Sequence, residues 1–215
     1  MCAQGRLGYG SAFRFSKNYC ILLSVKDPIV QAGDPVLRGT AKAVAKKDIG
    51  SAKINKIIAR MKKALAAEDF GVAIAAPQIG EPLRIFVIAG KAFEPVLKED
   101  QKPLDGGPKQ STLPDHVFIN PELARLSKKK KEMSEGCLSV RGKYGTVMRH
   151  EKATVKALDE NGKPFIYNSS GLIGHIFQHE CDHLDGILYT DKALRLEEDI
   201  DLKSARKKLK EKHGV

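Results

Sequence analysis

The sequence predicts a single domain of the α+β class, in which two amphipathic helices pack against short antiparallel strands. Its 215 residues are 42% hydrophobic, which is enough for one sizeable core, and nothing in the sequence suggests a second domain. Apolar residues recur at helical spacing in two segments, and short runs bounded by turn signals lie between them. This mixture is typical of helices packed on antiparallel sheet.

The first helix is predicted over residues 51–67, and its apolar residues fall on one face, where the plainest interpretation is core packing. These residues are Ile54, Ile57, Ile58, Met61 and Leu65. Strands are predicted over residues 84–89, 117–120, 146–158 and 164–167, with the turn signal "DENGK" before the last. The polar stretch over residues 91–115 is predicted as a surface loop.

The second helix is predicted over residues 170–185, ending near Gly186, and it contains a His-Glu-x-x-His motif. His179 and His183 are four positions apart, so both could reach one cation from the same helix face. Glu180 would border that cation without binding it, which suits a general base acting on water. The motif alone leaves open a second interpretation. The histidines could be part of a polar stripe on the helix and form hydrogen bonds or contact solvent, without binding a metal.

A catalytic metal centre usually has three protein ligands, so a third must come from elsewhere. His175 precedes the motif by one turn, but three histidines at these spacings span about 12 Å of helix rise. His175 is therefore predicted at a pocket rim or on the surface. Cys137, in "SEGCLSV", is the better candidate, at the predicted start of a short strand.

The four cysteines lack any C-x-x-C pair, which argues against a disulfide framework or a zinc knuckle and suits a reducing compartment. They are Cys2, Cys20, Cys137 and Cys181. Cys181 lies between the two motif histidines but points away from them, because each helical position rotates by about 100°. It is predicted to be a small packed hydrophobe.

Three separated motifs resemble those of the peptide deformylases: "GVAIAAPQ" at residues 71–78, "EGCLS" at 135–139 and "QHECDH" at 178–183. Their order and spacing match the family, and the likeness covers residues 27–191. The resemblance implies antiparallel β-sheets packed around a central metal-binding HExxH helix. It also implies an activity, the removal of the formyl group from the N-terminal formyl-methionine of nascent polypeptides.

The resemblance implies roles for particular residues. The implied metal ligands are Cys137, His179 and His183, and Glu180 would carry the proton between water and the leaving amine. The side-chain amide of Gln78 and the backbone N–H of Leu138 would face the formyl oxygen. These roles suit amide hydrolysis, which needs a hydroxide equivalent, charge stabilisation for an oxyanion and a proton for the nitrogen.

Other implied roles lie around this centre. Glu135 and Gln178 would support the active site, Gly136 would meet a backbone requirement, and residues 71–73 (Gly71, Val72 and Ala73) would pair with the extended substrate. Ala73 stands where the family usually has glycine, so a positive φ there would cost about 1 kcal/mol. Arg141 stands where a proline is frequent, which puts the loop shape in doubt.

The expected cofactor is one divalent metal ion. A thiolate and two imidazoles with an open position suit zinc by ligand type and geometry, and ligand softness also allows iron(II), cobalt or nickel. The resemblance favours Fe²⁺ as the ion used in the cell.

The chain ends are expected to lie outside the catalytic domain, which is predicted over residues 25–195. Residues 1–24 are predicted as a poorly ordered extension and 196–215 as a basic, helical tail. The first segment contains no acidic residue, so an organellar transit peptide stays an alternative to a cytoplasmic extension. No apolar run approaches the length of a membrane span.

The formal net charge is +11, with basic runs at residues 128–131 and in the tail. This charge favours attraction to polyanions, so a ribosome contact through the tail is expected beside formyl-methionyl peptides. No membrane partner and no specific DNA are expected. Two alternatives stay open: a nonenzymatic or weakly active homologue that binds the ribosome, and a metallopeptidase, since zincins share the His-Glu-x-x-His motif.

Overall fold

The computed structural model describes residues 29–94 and 112–198. The predictions for residues 1–24, for most of the polar loop and for the tail beyond residue 198 therefore lie outside the described residues. Within those limits, two α-helices and two antiparallel sheets form the expected α+β fold.

The larger sheet has five strands, and every neighbouring pair is antiparallel. Its strands are β1 (Ala73–Ala75), β2 (Ile85–Ile88), β3 (His116–Leu126), β6 (Lys152–Leu158) and β7 (Pro164–Ser170), in the spatial order β1-β2-β3-β6-β7. The smaller sheet contains β4 (Lys130–Cys137), β5 (Val140–His150) and β8 (Ala193–Glu198), in the order β4-β5-β8. Strand β1 therefore lies at an edge of the larger sheet.

Helix α1 (Ala52–Ala66) begins at Ser51, whose hydroxyl oxygen accepts a hydrogen bond from the Ile54 N–H at 3.3 Å. Its apolar face packs on one side of the larger sheet. Successive side chains of a strand point to opposite faces, so Ile85 and Val87 of β2 contact the α1 side. Phe86, between them, contacts the other side of the sheet.

Helix α2 (Gly171–Leu184) packs on that other side and lies between the two sheets. It ends where predicted. Gly186 has φ +75°, and a Cβ there would lie 2.5 Å from the Arg38 carbonyl oxygen, so the chain needs glycine to leave the helix at this point. Both helices match their predicted bounds to within about one residue at each end, which is the usual uncertainty of helix termini.

The prediction of one strand over residues 146–158 is wrong, because β5 and β6 belong to different sheets and Glu151 separates them. The Gln178 side chain of α2 accepts a hydrogen bond from the His150 N–H at 3.0 Å and donates one to the His150 carbonyl at 2.9 Å. A side chain thus takes the place of a strand partner, and the chain changes sheets at this corner.

Three strands were not predicted: β1, β4 and β8. The strand start predicted from Leu138 and Val140 is at Val140, where β5 begins, and Cys137 precedes it as the last residue of β4. Residues 196–198 belong to β8, which corrects the helix predicted there. Of the helices in the described ranges, none is long and apolar enough to cross a membrane.

Candidate metal centre

The end of β4 brings a thiol against the histidines of α2. Cys137 Sγ lies 3.1 Å from His183 Nε2, and the ligand atoms of Cys137, His179 and His183 all lie within 4.8 Å of one another. His179 Nδ1 lies 2.7 Å from Glu135 Oε2, which leaves its Nε2 for the cluster. One sulfur and two imidazole nitrogens at such separations can hold one metal ion and leave a position for a further ligand.

The protonation of the two histidines differs because their surroundings differ. Burial, together with the charge on His179, holds the pKa of His183 well below 6.5, so its imidazole is neutral, the form that binds a metal. Burial would also lower the pKa of His179, but its contacts with Cys137 and Glu135 raise it well above 6.5. A metal would therefore displace a proton from this cluster.

Glu180 has the properties of a proton carrier. Its side chain is buried beside the cluster, and within the described part of the chain its Oε2 has no hydrogen-bond partner. Burial raises its pKa to about 7, while the positive charge of His179 opposes the rise and Glu135 adds to it. A carboxyl group with a pKa near neutrality can both accept and release a proton.

Glu135 accepts hydrogen bonds from several buried groups. Arg149 donates from Nε at 2.6 Å and from Nη2 at 3.0 Å, and His175 Nε2 lies 2.8 Å from Glu135 Oε1. Burial would raise the pKa of Glu135, but the close contacts with His175 and His179 and the hydrogen bonds from Arg149 hold it well below its usual range. The result is a carboxylate that fixes the orientation of His179.

This network extends away from the cluster. Arg149 Nη1 donates to Asp182 Oδ2 at 2.6 Å, and Lys192 Nζ donates to Asp182 Oδ1 at 2.7 Å. Sequence reasoning missed both residues: Arg149 lies outside the three motifs, and Asp182 lies within "QHECDH" but was assigned no role. It also placed His175 at a rim or on the surface. His175 lines the cleft but is buried against Glu135, so the surface prediction is wrong.

Gln78 lies in a 3₁₀ helix, Ala76–Ile79, directly after β1. Its Oε1 accepts a hydrogen bond from the Ala75 N–H at 2.8 Å, which fixes the amide orientation. Its Nε2 lies 3.4 Å from Cys137 Sγ and donates to Ser139 Oγ at 3.2 Å. The amide N–H groups of Gln78 therefore point at the turn that contains Leu138. Ser139, fully buried, was not singled out in the sequence.

A cleft of about 620 Å³ lies beside the cluster, and residues 71–73 form part of its wall. A Cβ at Gly136, in β4, would lie 2.9 Å from Tyr144 Cε1, so a side chain there would displace the Tyr144 ring. Ala73 does not have a positive φ, since Asn120 is the only non-glycine residue of the described chain that does. The strain considered for Ala73 is therefore absent, and it pairs with Ile88 in an ordinary strand.

Cys181 lies on the other side of α2, where it is 3% exposed among apolar side chains. Burial raises the pKa of its thiol to about 12. Its prediction as a packed hydrophobe is confirmed.

Known proteins are similar to this chain in sequence and in fold. The sequence profile of the polypeptide deformylase family matches residues 26–199. The peptide deformylase of Mesorhizobium japonicum is 36% identical over 186 residues, which cover 86% of this chain and 94% of the relative. Peptide deformylase 1A, chloroplastic/mitochondrial, of Arabidopsis thaliana is 42% identical over 171 residues, or 76% of this chain and 60% of the relative. The chain thus spans less than two thirds of that plant relative.

Solved structures of peptide deformylases have a similar fold. A peptide deformylase from Legionella pneumophila is 35% identical with a TM-score of 0.61, and the match covers 85% of this chain and 92% of that chain. A class I type b peptide deformylase from Acinetobacter baumannii, bound to Met-Ala-Ser, is 29% identical with a TM-score of 0.64 over 77% of this chain and 96% of that chain. With a profile and relatives that cover most of its length, the chain belongs to the polypeptide deformylase family.

Proposed function

We propose that this protein is a metal-dependent hydrolase that removes the formyl group from N-terminal formyl-methionine and releases formate. The observation that carries the proposal is the convergence, in one cleft, of a Cys/His/His cluster with a buried carboxyl group and a fixed side-chain amide. Each of these supplies one requirement of amide hydrolysis. The family membership and the names of the relatives support the same activity.

The proposed metal ligands are Cys137, His179 and His183. A divalent ion there would supply Lewis acidity and bring the pKa of a water molecule close to neutrality. Fe²⁺ is the proposed ion in the cell, and the same ligand set suits Zn²⁺, Ni²⁺ or Co²⁺. Glu135 would hold His179 in the tautomer that presents Nε2 to the ion, through the 2.7 Å contact at Nδ1.

Glu180 is the proposed general base and acid. Its buried carboxyl group would accept a proton from water at Oε2 and return a proton to the leaving amine nitrogen. Gln78 Nε2 and the backbone N–H of Leu138 would donate hydrogen bonds to the formyl oxygen as negative charge develops on it. The side-chain carbonyl oxygen of Gln78 already accepts a hydrogen bond from the Ala75 N–H. The side-chain amide can therefore present only its N–H groups to the substrate.

The proposed substrate path follows the free edge of β1. Gly71, Val72 and Ala73 line the cleft. Among the described strands β1 pairs only with β2, so its other edge can pair with an extended peptide. Gly136 lies on the facing wall, where its lack of a side chain lets the Tyr144 ring pack against β4.

The direct test is formate release from a formyl-Met-Ala-Ser peptide by anaerobically prepared, metal-loaded protein. We expect release by the unmodified chain and loss of release in Cys137→Ser and after treatment with a chelator. Cys181→Ala is the matched control, since that thiol packs in the core on the far side of α2. No formate from the metal-loaded chain would refute the proposal, and cleavage of an internal peptide bond instead would favour a metallopeptidase.

A ribosome contact through the basic tail is a separate part of the proposal. Removal of residues 202–215 should weaken co-sedimentation with ribosomes, and the loss should be larger at low salt because the contact is electrostatic. Unchanged co-sedimentation at moderate salt would refute it. The relatives from plants carry organellar names, so the proposed location is the cytoplasm or an organelle that synthesises formylated proteins.

A further inference from the structure

An ion pair joins the two walls of the cleft at its mouth. Glu68 follows α1 on one wall, and Arg141 lies near the start of β5 on the other. Arg141 Nη2 lies 2.7 Å from Glu68 Oε1, and Nη1 lies 3.2 Å from Oε2, so the contact is bidentate. We call these two residues the rim pair. The proposed chemistry uses neither of them.

The acidic member of the rim pair is held firmly in place. Lys91 Nζ donates to the Glu68 carbonyl at 3.3 Å and to the Asp69 carbonyl at 2.9 Å. Gly71 packs so closely that a Cβ there would lie 3.0 Å from Glu68 Cβ. The turn that carries Glu68 is therefore fixed relative to β1.

The basic member is the more accessible one. The side chain of Arg141 is 55% exposed, whereas that of Glu68 is 16% exposed. A guanidinium group carries five N–H donors, and a bidentate contact uses only part of them. Lys143, also exposed and on the same wall, adds a second positive charge, and the exposed Asp69 opposes it from the facing wall. The charge that the rim pair presents to the cleft is thus mainly that of Arg141.

The proposed substrate path leads to this pair. The formyl group would lie at the cluster near Gln78, which follows the carboxyl end of β1. A peptide that pairs with the edge of β1 must then run back along it, towards Gly71 and the turn at Glu68. Each residue of an extended peptide advances about 3.3 Å, so the residues after the first methionine would reach the rim pair.

We infer that the rim pair selects substrates by charge and favours peptides with an acidic side chain at the second or third residue. The inference rests on the proposed deformylase function and adds a substrate preference to it. An acidic side chain would accept hydrogen bonds from the Arg141 N–H groups that do not contact Glu68, and a lysine would meet a positive charge. Because the contact is exposed, we expect kcat/KM to differ by about fivefold between the two, through KM.

The test compares formate release from formyl-Met-Asp-Ala, formyl-Met-Ala-Ala and formyl-Met-Lys-Ala, and from the set with the charge at the third residue. The unmodified chain should favour the acidic peptides, and the preference should weaken at higher salt. In Arg141→Ala the ratio of kcat/KM for acidic peptides to kcat/KM for basic peptides should fall to about one. In the double variant Glu68→Arg, Arg141→Glu the basic peptides should have the higher kcat/KM. Lys62→Ala, which removes an ion pair with Glu160 away from the cleft, is the control and should keep the ratio.

The outcomes separate the two proposals. Formate from none of the peptides would refute the deformylase function itself. Formate from all of them with equal kcat/KM would refute the charge selection alone. An Arg141→Ala variant that loses the same factor of activity on every peptide would also refute it, because the rim pair would then only support the fold.

Discussion

The two sides of α2 lie against sheets of different chemistry. The side facing the larger sheet carries Phe177, Cys181 and Leu184 into an apolar cluster with β2 and β3. The side facing the smaller sheet carries His179 and His183 to a thiol and a buried carboxylate. One helix therefore contributes to core packing on one side and to the candidate metal centre on the other. We expect substitutions on the first side to change stability and substitutions on the second to change metal binding or catalysis.

The largest expected effect is on catalysis. Glu180→Gln keeps the size of the side chain but removes the group that transfers the proton, so kcat/KM for formyl-Met-Ala-Ser should fall by about 10² to 10⁴. Metal content and melting temperature should change little, because Glu180 is not a proposed ligand. Steady-state formate release and metal analysis on the same preparation check this. A variant that loses its metal together with its activity would contradict the assignment of Glu180 as a base.

The next effect is on stability alone. Phe177 is fully buried and its ring lies 5.5 Å from that of Phe118, centroid to centroid. Phe177→Ala should lower the free energy of unfolding by about 3–5 kcal/mol in urea titrations, since it removes buried area and leaves a cavity. The folded fraction should still bind one metal per chain. A decrease in the free energy of unfolding below about 1 kcal/mol, or a folded variant that binds no metal, would contradict the assignment of packing to one side of α2 and metal binding to the other.

A smaller effect is expected at the carboxylate that orients His179. Glu135→Gln keeps the shape of Glu135 but removes the charge that binds His179 and Arg149. Metal affinity should fall by about 10- to 100-fold in a chelator competition. Glu160→Gln, on the surface, is the matched control. Equal affinity in both variants would mean that Glu135 does not act on the metal centre.

The smallest effect is expected far from both sides. Lys62 on α1 forms a partly exposed ion pair with Glu160, with Nζ to Oε1 at 2.8 Å. Lys62→Ala should lower the free energy of unfolding by less than about 1 kcal/mol and leave formate release unchanged. Urea titrations of Lys62→Ala and Phe177→Ala compare the free energy of unfolding lost at a partly exposed side chain with that lost at a fully buried one. A loss as large as that of Phe177→Ala would contradict the account.

Local patterns predicted the parts of the fold that local physics determines. Helical spacing predicted both helices to within about one residue at each end. The rotation of about 100° per residue placed Cys181 on the packed side of α2. The motif spacing also placed His179 and His183 on one face, next to each other at 4.9 Å between ring centroids.

Long-range pairing explains what was missed. Strand β4 has a mostly polar sequence, "KKEMSEGC", and forms because it pairs with β5 across a tight turn. The break between β5 and β6 depends on Gln178, far along the chain. The burial of His175 depends on Glu135, and the bridge from Glu135 to Asp182 depends on Arg149. None of these contacts leaves a periodic or local signal in the sequence.

X-ray absorption spectroscopy of the zinc-loaded chain tests the central claim, that Cys137 and one side of α2 together hold the metal. We expect one sulfur at about 2.3 Å and two imidazole nitrogens at about 2.0–2.1 Å from the zinc. The sulfur should disappear in Cys137→Ala and persist in Cys181→Ala. A zinc ion without a sulfur ligand in the unmodified chain, or a sulfur that persists in Cys137→Ala, would contradict it.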